Sequence, residues 1–391
     1  ALLAARGTAL TNAGKHVEAL PALSEARALL TRAVGPKDPR TLAATLELLD
    51  ALAHNGDYPA RNALADELLG ASTEALGADH PQTGVVLARM ALYACRSGEY
   101  ARSRQLVERA IAIDERAFGP RSLRTAAAVN VLGVLEESQG RLDEARRAYE
   151  RVLAIRRELL APDNPLVAHA LANLSIITRL QGRLDEALDQ VQTALAIMRR
   201  TYGELHSDVA FESHVLGQVL EDRGELAGAR EAYQRAVDTY NLIKGPQHMD
   251  TLAAGVALAD FDSRHGRCDE ARRRMLPAAE TYERGRVKED PGLALALVVL
   301  ARCDLSRGAA AEAVARLERA LAIEERPGMA PSSRGTARFE LARALAASGQ
   351  AARARALARR AEQELAQSGP LGARDRARTR AWLELRARGA E

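Results

Sequence analysis

The chain has 391 residues, of which 47% are apolar and only 3% aromatic, so its core must be assembled from Ala, Leu, Val and Ile, side chains that suit closely packed helices rather than strands. Its 55 Lys and Arg nearly cancel 52 Asp and Glu, which leaves no overall field to draw nucleic acid or an anionic membrane. Three cysteines without CxxC spacing argue against a disulfide framework or a zinc site and fit a cytoplasmic location, and no apolar run reaches the roughly 18 residues of a membrane helix.

The first residues, Ala1-Leu-Leu-Ala-Ala-Arg, already lie inside an apolar helical pattern, which predicts a piece of a longer polypeptide. Gly14 then opens a series continued by Gly56, Gly98, Gly140, Gly182, Gly224, Gly266, Gly308 and Gly349, spaced by 42 residues seven times and by 41 once. A fixed period of this kind predicts a repeat array. Copies such as Gly140-Arg-Leu-Asp-Glu-Ala-Arg and Gly182-Arg-Leu-Asp-Glu-Ala-Leu place each glycine at a left-handed cap, with a new helix starting within a few residues. Half a period away, Val34-Gly-Pro-Lys-Asp-Pro39, Leu76-Gly-Ala-Asp-His-Pro81, Phe118-Gly-Pro120 and Leu160-Ala-Pro-Asp-Asn-Pro165 predict the loops between helix pairs. Asp38, Ser122, Asn164 and Asp290 share a register in which a short polar side chain caps the next helix, and Pro39, Pro165 and Pro291 follow at its first position. Each repeat thus reads as helix A, glycine turn, helix B, loop.

Helix A brings Leu48, Met90, Leu132, Leu174, Leu216, Leu258 and Leu300 to one register, beside the small residues Ala91, Gly133, Ser175, Gly217, Ala259 and Ala301. A large knob next to a small hole lets two helices approach closely. Helix B repeats Ala145, Ala187, Ala229, Ala271 and Ala313, and four residues later Tyr149, Val191, Tyr233, Met275 and Leu317. Both tyrosines are therefore expected in the core, as is Cys268, which falls in the register of Leu142, Leu184 and Leu226. His80, His206 and His248 share a loop register a whole repeat or more apart, which predicts helix starts rather than metal ligands. The recurrent Asp-Glu-Ala-Arg runs place carboxylates at helix starts, where they favour the helix dipole, and not in acid/base pairs.

No GxxxxGK[ST], HExxH or GxSxG motif and no Ca²⁺ loop occurs, so neither catalysis nor a cofactor or metal is expected of this segment. Near the end the composition shifts: residues 334–391 hold 13 Arg and 6 acids, a net charge of +7. The expected division is a repeat array of about eight helix pairs over 1–333, then a degenerate repeat and a basic C-terminal capping helix over 334–391. Alternatively, the basic end meets an acidic partner or the acidic body of the chain.

The Leu-Gly pair of helix A, the glycine turn, the Ala five residues later, the aromatic or apolar residue four after that and a further Ala resemble the tetratricopeptide repeat (TPR). The 42-residue period with its Gly-Pro loop and the helix ending Ala194-Leu-Ala-Ile is similar to the longer repeats of kinesin light chains. The resemblance covers nearly the whole chain and implies an all-α, right-handed superhelical solenoid of tandem helix-turn-helix repeats. It also implies a bacterial setting in which such arrays are attached to Ser/Thr kinases or nucleotide-binding signalling proteins. In that family the asparagines of a Leu-Asn-Asn-Leu motif line the concave groove and hold an extended peptide. Here Asn130 retains the first, Asn173 the second, and His214 stands in the register of Asn130.

With the A helices lining the concave face, the register places Asn130, Glu137, His169, Asn173, Arg179, Phe211, His214, Gln218, Glu221, Asp260 and Arg302 in the groove. Amides, both charges and one aromatic suit an extended or helical peptide, whereas nucleic acid needs a continuous positive stripe. The expected function is a protein-interaction scaffold. The competing expectation is a regulatory or self-association arm that contacts its own upstream domain or a second copy.

Overall fold

The computed structural model describes residues 2–12, 16–54, 58–284, 291–326 and 329–388, and among them it contains nineteen α-helices, one short 3₁₀ turn and no strand. In chain order the pairs are α1 (Leu2–Asn12) with α2 (His16–Val34), α3 (Pro39–His54) with α4 (Tyr58–Leu76), α5 (Pro81–Arg96) with α6 (Tyr100–Phe118), and α7 (Leu123–Ser138) with α8 (Leu142–Leu159). There follow α9 (Pro165–Leu180) with α10 (Leu184–Tyr202), α11 (Ser207–Asp222) with α12 (Leu226–Lys244), and α13 (Met249–Arg264) with α14 (Cys268–Arg284). The last pairs are α15 (Pro291–Ser306) with α16 (Ala310–Glu324) and α17 (Pro331–Ala347) with α18 (Ala351–Gln367), after which a 3₁₀ turn (Gly369–Gly372) leads into α19 (Ala373–Arg388). Odd numbers up to α17 are A helices and even numbers are B helices. The helices fall into two compact units, residues 1–138 with 143–162 (unit 1) and residues 139–142 with 163–391 (unit 2).

The glycine turns follow one design. At the end of α9, Gly182 has φ +78°, its N–H donates to the Arg179 carbonyl at 2.9 Å, and the Arg183 N–H reaches back to the Thr178 carbonyl at 3.0 Å. The same five-residue reach recurs as Glu99 to Ala94, Glu225 to Leu220, Arg267 to Asp262, Ala309 to Asp304 and Gln350 to Leu345. Gly98, Gly140, Gly182, Gly224, Gly266, Gly308 and Gly349 all have positive φ; Gly14 and Gly56 lie outside the described residues.

The loops between pairs hold two periodic features. His80, Asn164, His206 and His248 cap the following A helix, each side chain accepting the backbone N–H two residues on. Asp38 does the same for the Arg40 N–H, and the Ser122 hydroxyl accepts the Thr125 N–H; Asp290 lies outside the described residues. In addition, the hydroxyls of Thr41, Thr83, Thr125 and Thr251 donate to the carbonyls of Gly35, Gly77, Gly119 and Gly245, all at 2.8–2.9 Å.

Within a pair, the small residue of helix A accommodates the knob sixteen residues later in helix B. A Cβ placed on Gly133 would stand 2.7 Å from Tyr149 Cδ1, and one on Gly217 would stand 2.8 Å from Tyr233 Cδ1. The register varies in a compensating manner: where helix A carries Ala91, Ser175, Ala259 or Ala301, helix B presents Val107, Val191, Met275 or Leu317, and the full tyrosine ring appears only opposite glycine. Those knobs, and Ala145, Ala187, Ala229, Ala271 and Ala313 beside them, are all buried. Cys268, by contrast, is only half-buried, packed at the margin of the core that encloses Cys303. Because each pair packs against its neighbours as well as within itself, stability is a property of the stack rather than of any one hairpin.

Candidate functional site

The A-helix face of unit 2 carries a ladder of charges that steps from one repeat to the next. Arg179 of α9 pairs with Asp222 of α11 at 2.6 Å. Glu221 of α11 pairs with Arg264 of α13, which also holds Asp260 of its own helix at 2.8 Å. Asp260 in turn meets Arg302 of α15, whose Nε donates to Glu340 of α17 at 2.8 Å. Residues about 42 apart stand side by side because stacked A helices repeat the same face, so a polar residue in one register finds its neighbour's counterpart.

Glu221 and Arg302 are 8% exposed and Glu340 is fully buried, so these are charges of the array's interior face rather than of a solvated rim. Burial opposes ionisation of Glu340, but Arg302, with Arg343 and Arg378, holds its carboxyl down at about 2. Glu221 follows the same balance: burial raises it, and Arg264 and Arg374 bring it below the ordinary carboxylate value. Buried opposite charges are stable only when fully partnered, and here each carboxylate has at least two cationic partners.

The other sequence-predicted residues of this unit lie on the same helices. His169 stands 3.5 Å from Asp208, and Asn173 is half-buried one turn further along α9. His214 and Gln218 face each other at 3.1 Å, and burial, aided by Arg179, lowers the His214 imidazole to about 4, which keeps it neutral. Phe211 is 42% exposed, an open aromatic on α11. Asn130 and Glu137 belong to unit 1, where the Tyr149 hydroxyl donates to Glu137 at 2.9 Å, just as Tyr233 donates to Glu221 at 3.1 Å in unit 2. The tyrosine ring fills the core while its hydroxyl orients a carboxylate of the A-helix face.

Beside the ladder a cavity of about 650 Å³ opens, with Val256, Leu295 and Val298 on its apolar wall and Asp260, Arg264 and Arg302 on its polar one. Residues absent from the sequence expectation complete it: Thr336 of α17, and Leu371, Arg374 and Asp375 from the C-terminal turn and helix. Arg264 and Glu340 could have been found from the register, since Arg264 lies 42 residues after Asp222. Arg374 carries no periodic signal, because α19 follows the last glycine marker. No group of three or more His, Cys, Asp or Glu suited to a metal ion occurs among the described residues, and none of their helices is long and apolar enough to cross a membrane.

A family model described as tetratricopeptide repeat matches three overlapping stretches, residues 83–158, 123–200 and 167–242. No curated protein matches the sequence. Among solved structures, the Rap protein complexed with Competence and Sporulation Factor is similar at TM-score 0.55 and 13% identity, over 90% of this chain and 98% of that one. BtubC (BKLC) from P. vanneervenii is 21% identical over 72% of this chain and 91% of its own, with a TM-score of 0.36. A Podosopora anserina protein assigned as a kinesin light chain, with nearly identical TPR-like repeats, is 20% identical over 52% of this chain and 96% of its own, with a TM-score of 0.44. Residues 83–242 match the tetratricopeptide repeat, and the same 42-residue helix pair with the same glycine turns continues on either side of them in an all-α array.

Proposed function

We propose that the A-helix face is a docking surface for a protein or peptide partner and that this chain acts as an interaction scaffold. The observation that carries the reading is the cavity beside the charge ladder: an apolar wall flanked by fixed charges of both signs accepts an apolar side chain and orients the backbone or charges around it. Phe211, Asn173 and Leu295, the last 40% exposed, are the side chains of this face that a partner meets without breaking a buried ion pair. Asn130 and Glu137 hold equivalent registers on the A helix of their own unit. The Rap protein of similar fold was solved with a bound factor, which supports an array of this build holding a ligand.

The test compares capture from a lysate of the source organism by the parent chain and by Asn173→Ala/Phe211→Ala/Leu295→Ala, with helical content checked by circular dichroism. A partner held by the parent and lost by the equally helical variant is the expected result. The same partner retained by both would move the docking surface elsewhere.

A further inference from the structure

The A-helix face of unit 2 is not vacant, because the chain's own C-terminal end lies on it. Leu371 lines the cavity, Arg374 reaches Glu221 at 3.0 Å across 153 residues of sequence, and Arg378 reaches Glu340 at 3.0 Å. Arg378 also lies over the Phe339 ring at 5.6 Å, and Trp382 meets the same ring edge-on at 6.2 Å. Leu371, Arg374, Arg378 and Trp382 are spaced i, i+3, i+7 and i+11, which is one face of a helix. The segment thus presents an apolar–Arg–Arg–aromatic stripe to a surface that offers a cavity, two carboxylates and a ring.

Two features distinguish this occupant from a fixed part of the core. First, within residues 369–387 only Gly372 and Thr379 are buried, so little apolar area holds the segment down. Second, its removal orphans no buried charge: Glu221 keeps Arg264 and His265, and Glu340 keeps Arg302 and Arg343. The other polar ties, Arg376 and Arg380 to Glu362 of α18 and Thr336 to Asp375 at 2.6 Å, are contacts that water can replace, and the apolar hold is confined to Trp382 at the margin of the core and Gly372 against the Leu365 backbone.

We propose that the Gly369–Gly372 turn and α19 form a displaceable internal ligand of this face, and that the partner which displaces them is a basic helix with the same stripe. That partner carries an apolar residue followed by arginine at the third and seventh positions and an aromatic residue at the eleventh. The proposal rests on the reading of the A-helix face as a docking surface and adds the partner's chemistry and the element that regulates access. Binding then requires the segment to leave, so apparent affinity is set by how often the face is open.

The probe is a fluorescently labelled synthetic peptide of residues 368–388, offered to the full parent chain and to the full-length variant Arg374→Glu/Arg378→Glu. In the variant, the α19 amides are expected to exchange hydrogen at least about tenfold faster while α11, α13, α15 and α17 keep their protection, and the peptide is expected to bind at least about tenfold more tightly than to the parent. A peptide carrying the same two glutamates should bind neither chain. Three results overturn the proposal: α19 amides that stay slow in the variant, freed amides with no peptide binding, or loss of protection throughout α11 to α17, which would make α19 an integral part of the fold. If the peptide fails while the Asn173→Ala/Phe211→Ala/Leu295→Ala variant still loses a captured partner, the docking surface stands and only its internal ligand is refuted.

Discussion

The coupling between glycine and tyrosine in a repeat can be measured by exchanging one partner for what a neighbouring repeat carries. In Gly133→Ala the new Cβ would stand 2.7 Å from Tyr149 Cδ1, about 1 Å inside ordinary carbon–carbon contact, and the ring is fully enclosed. Overpacking of this size costs about 3 kcal/mol, while alanine recovers about 1 kcal/mol of helix propensity over glycine, so the net loss is about 2 kcal/mol. Tyr149→Leu alone leaves a void and removes the donor from Glu137, a loss of about 2–3 kcal/mol. The double variant recreates the Ala301 and Leu317 pairing found two periods beyond Gly217's own knob-and-hole, and is expected to lose only about 1–2 kcal/mol, a coupling of about 3 kcal/mol. Because a repeat array need not unfold in one step, the assay is hydrogen exchange of the α7 and α8 amides rather than a single melting curve. Losses in the double variant equal to the sum of the singles would refute the argument.

Three further outcomes follow from buried charge. Glu212 is buried with one carboxylate oxygen lacking a hydrogen-bond partner, and burial, with Asp208, pushes it up to about 8. The folded chain therefore binds a proton that the unfolded chain has released between pH 4.5 and about 8, so stability falls as pH rises through that window; Glu212→Gln should remove the slope and stabilise by up to about 3 kcal/mol at pH 7, read by urea denaturation at several pH values. His214 has the opposite sign. With its pKa lowered to about 4, stability is lost as pH falls from 6.5 towards 4, and its imidazole resonances should show no titration above pH 5 by NMR. Glu340→Ala leaves the buried Arg302 with Asp260 as its one carboxylate and should cost about 3 kcal/mol by hydrogen exchange of α15 and α17, whereas Arg302→Leu/Glu340→Leu should cost less than Glu340→Ala alone.

Much of the repeat was legible because its marks are local. A glycine that must adopt positive φ and a polar cap before a proline act within a few residues, and the 42-residue spacing multiplies each signal. The same spacing also carried the threonine that ties each loop, at Thr41, Thr83, Thr125 and Thr251, but Val167 and Val209 interrupt the register and hide it. The register assigns residues to one helix face but not to a degree of burial: Asp260 and Arg302 occupy equivalent positions with opposite charges, and only the stacking of helices shows that each neutralises the other. The net positive charge of the C-terminal segment pointed to a basic capping helix or a contact with acidic residues, but not to which carboxylates it meets. Its contact with Glu221 depends on where stacked repeats bring distant surfaces, which no local pattern encodes.

The threonine ties have a consequence for how such an array changes length. Each bond closes a loop on itself, from a hydroxyl to a carbonyl six residues earlier, so this tie of the seam between two hairpins needs no group from the repeat beyond. Cutting or duplicating the gene at equivalent seams therefore exchanges whole hairpins without stranding a donor at the join, and lengthening by recombination meets its main resistance in the side chains of the new interface instead.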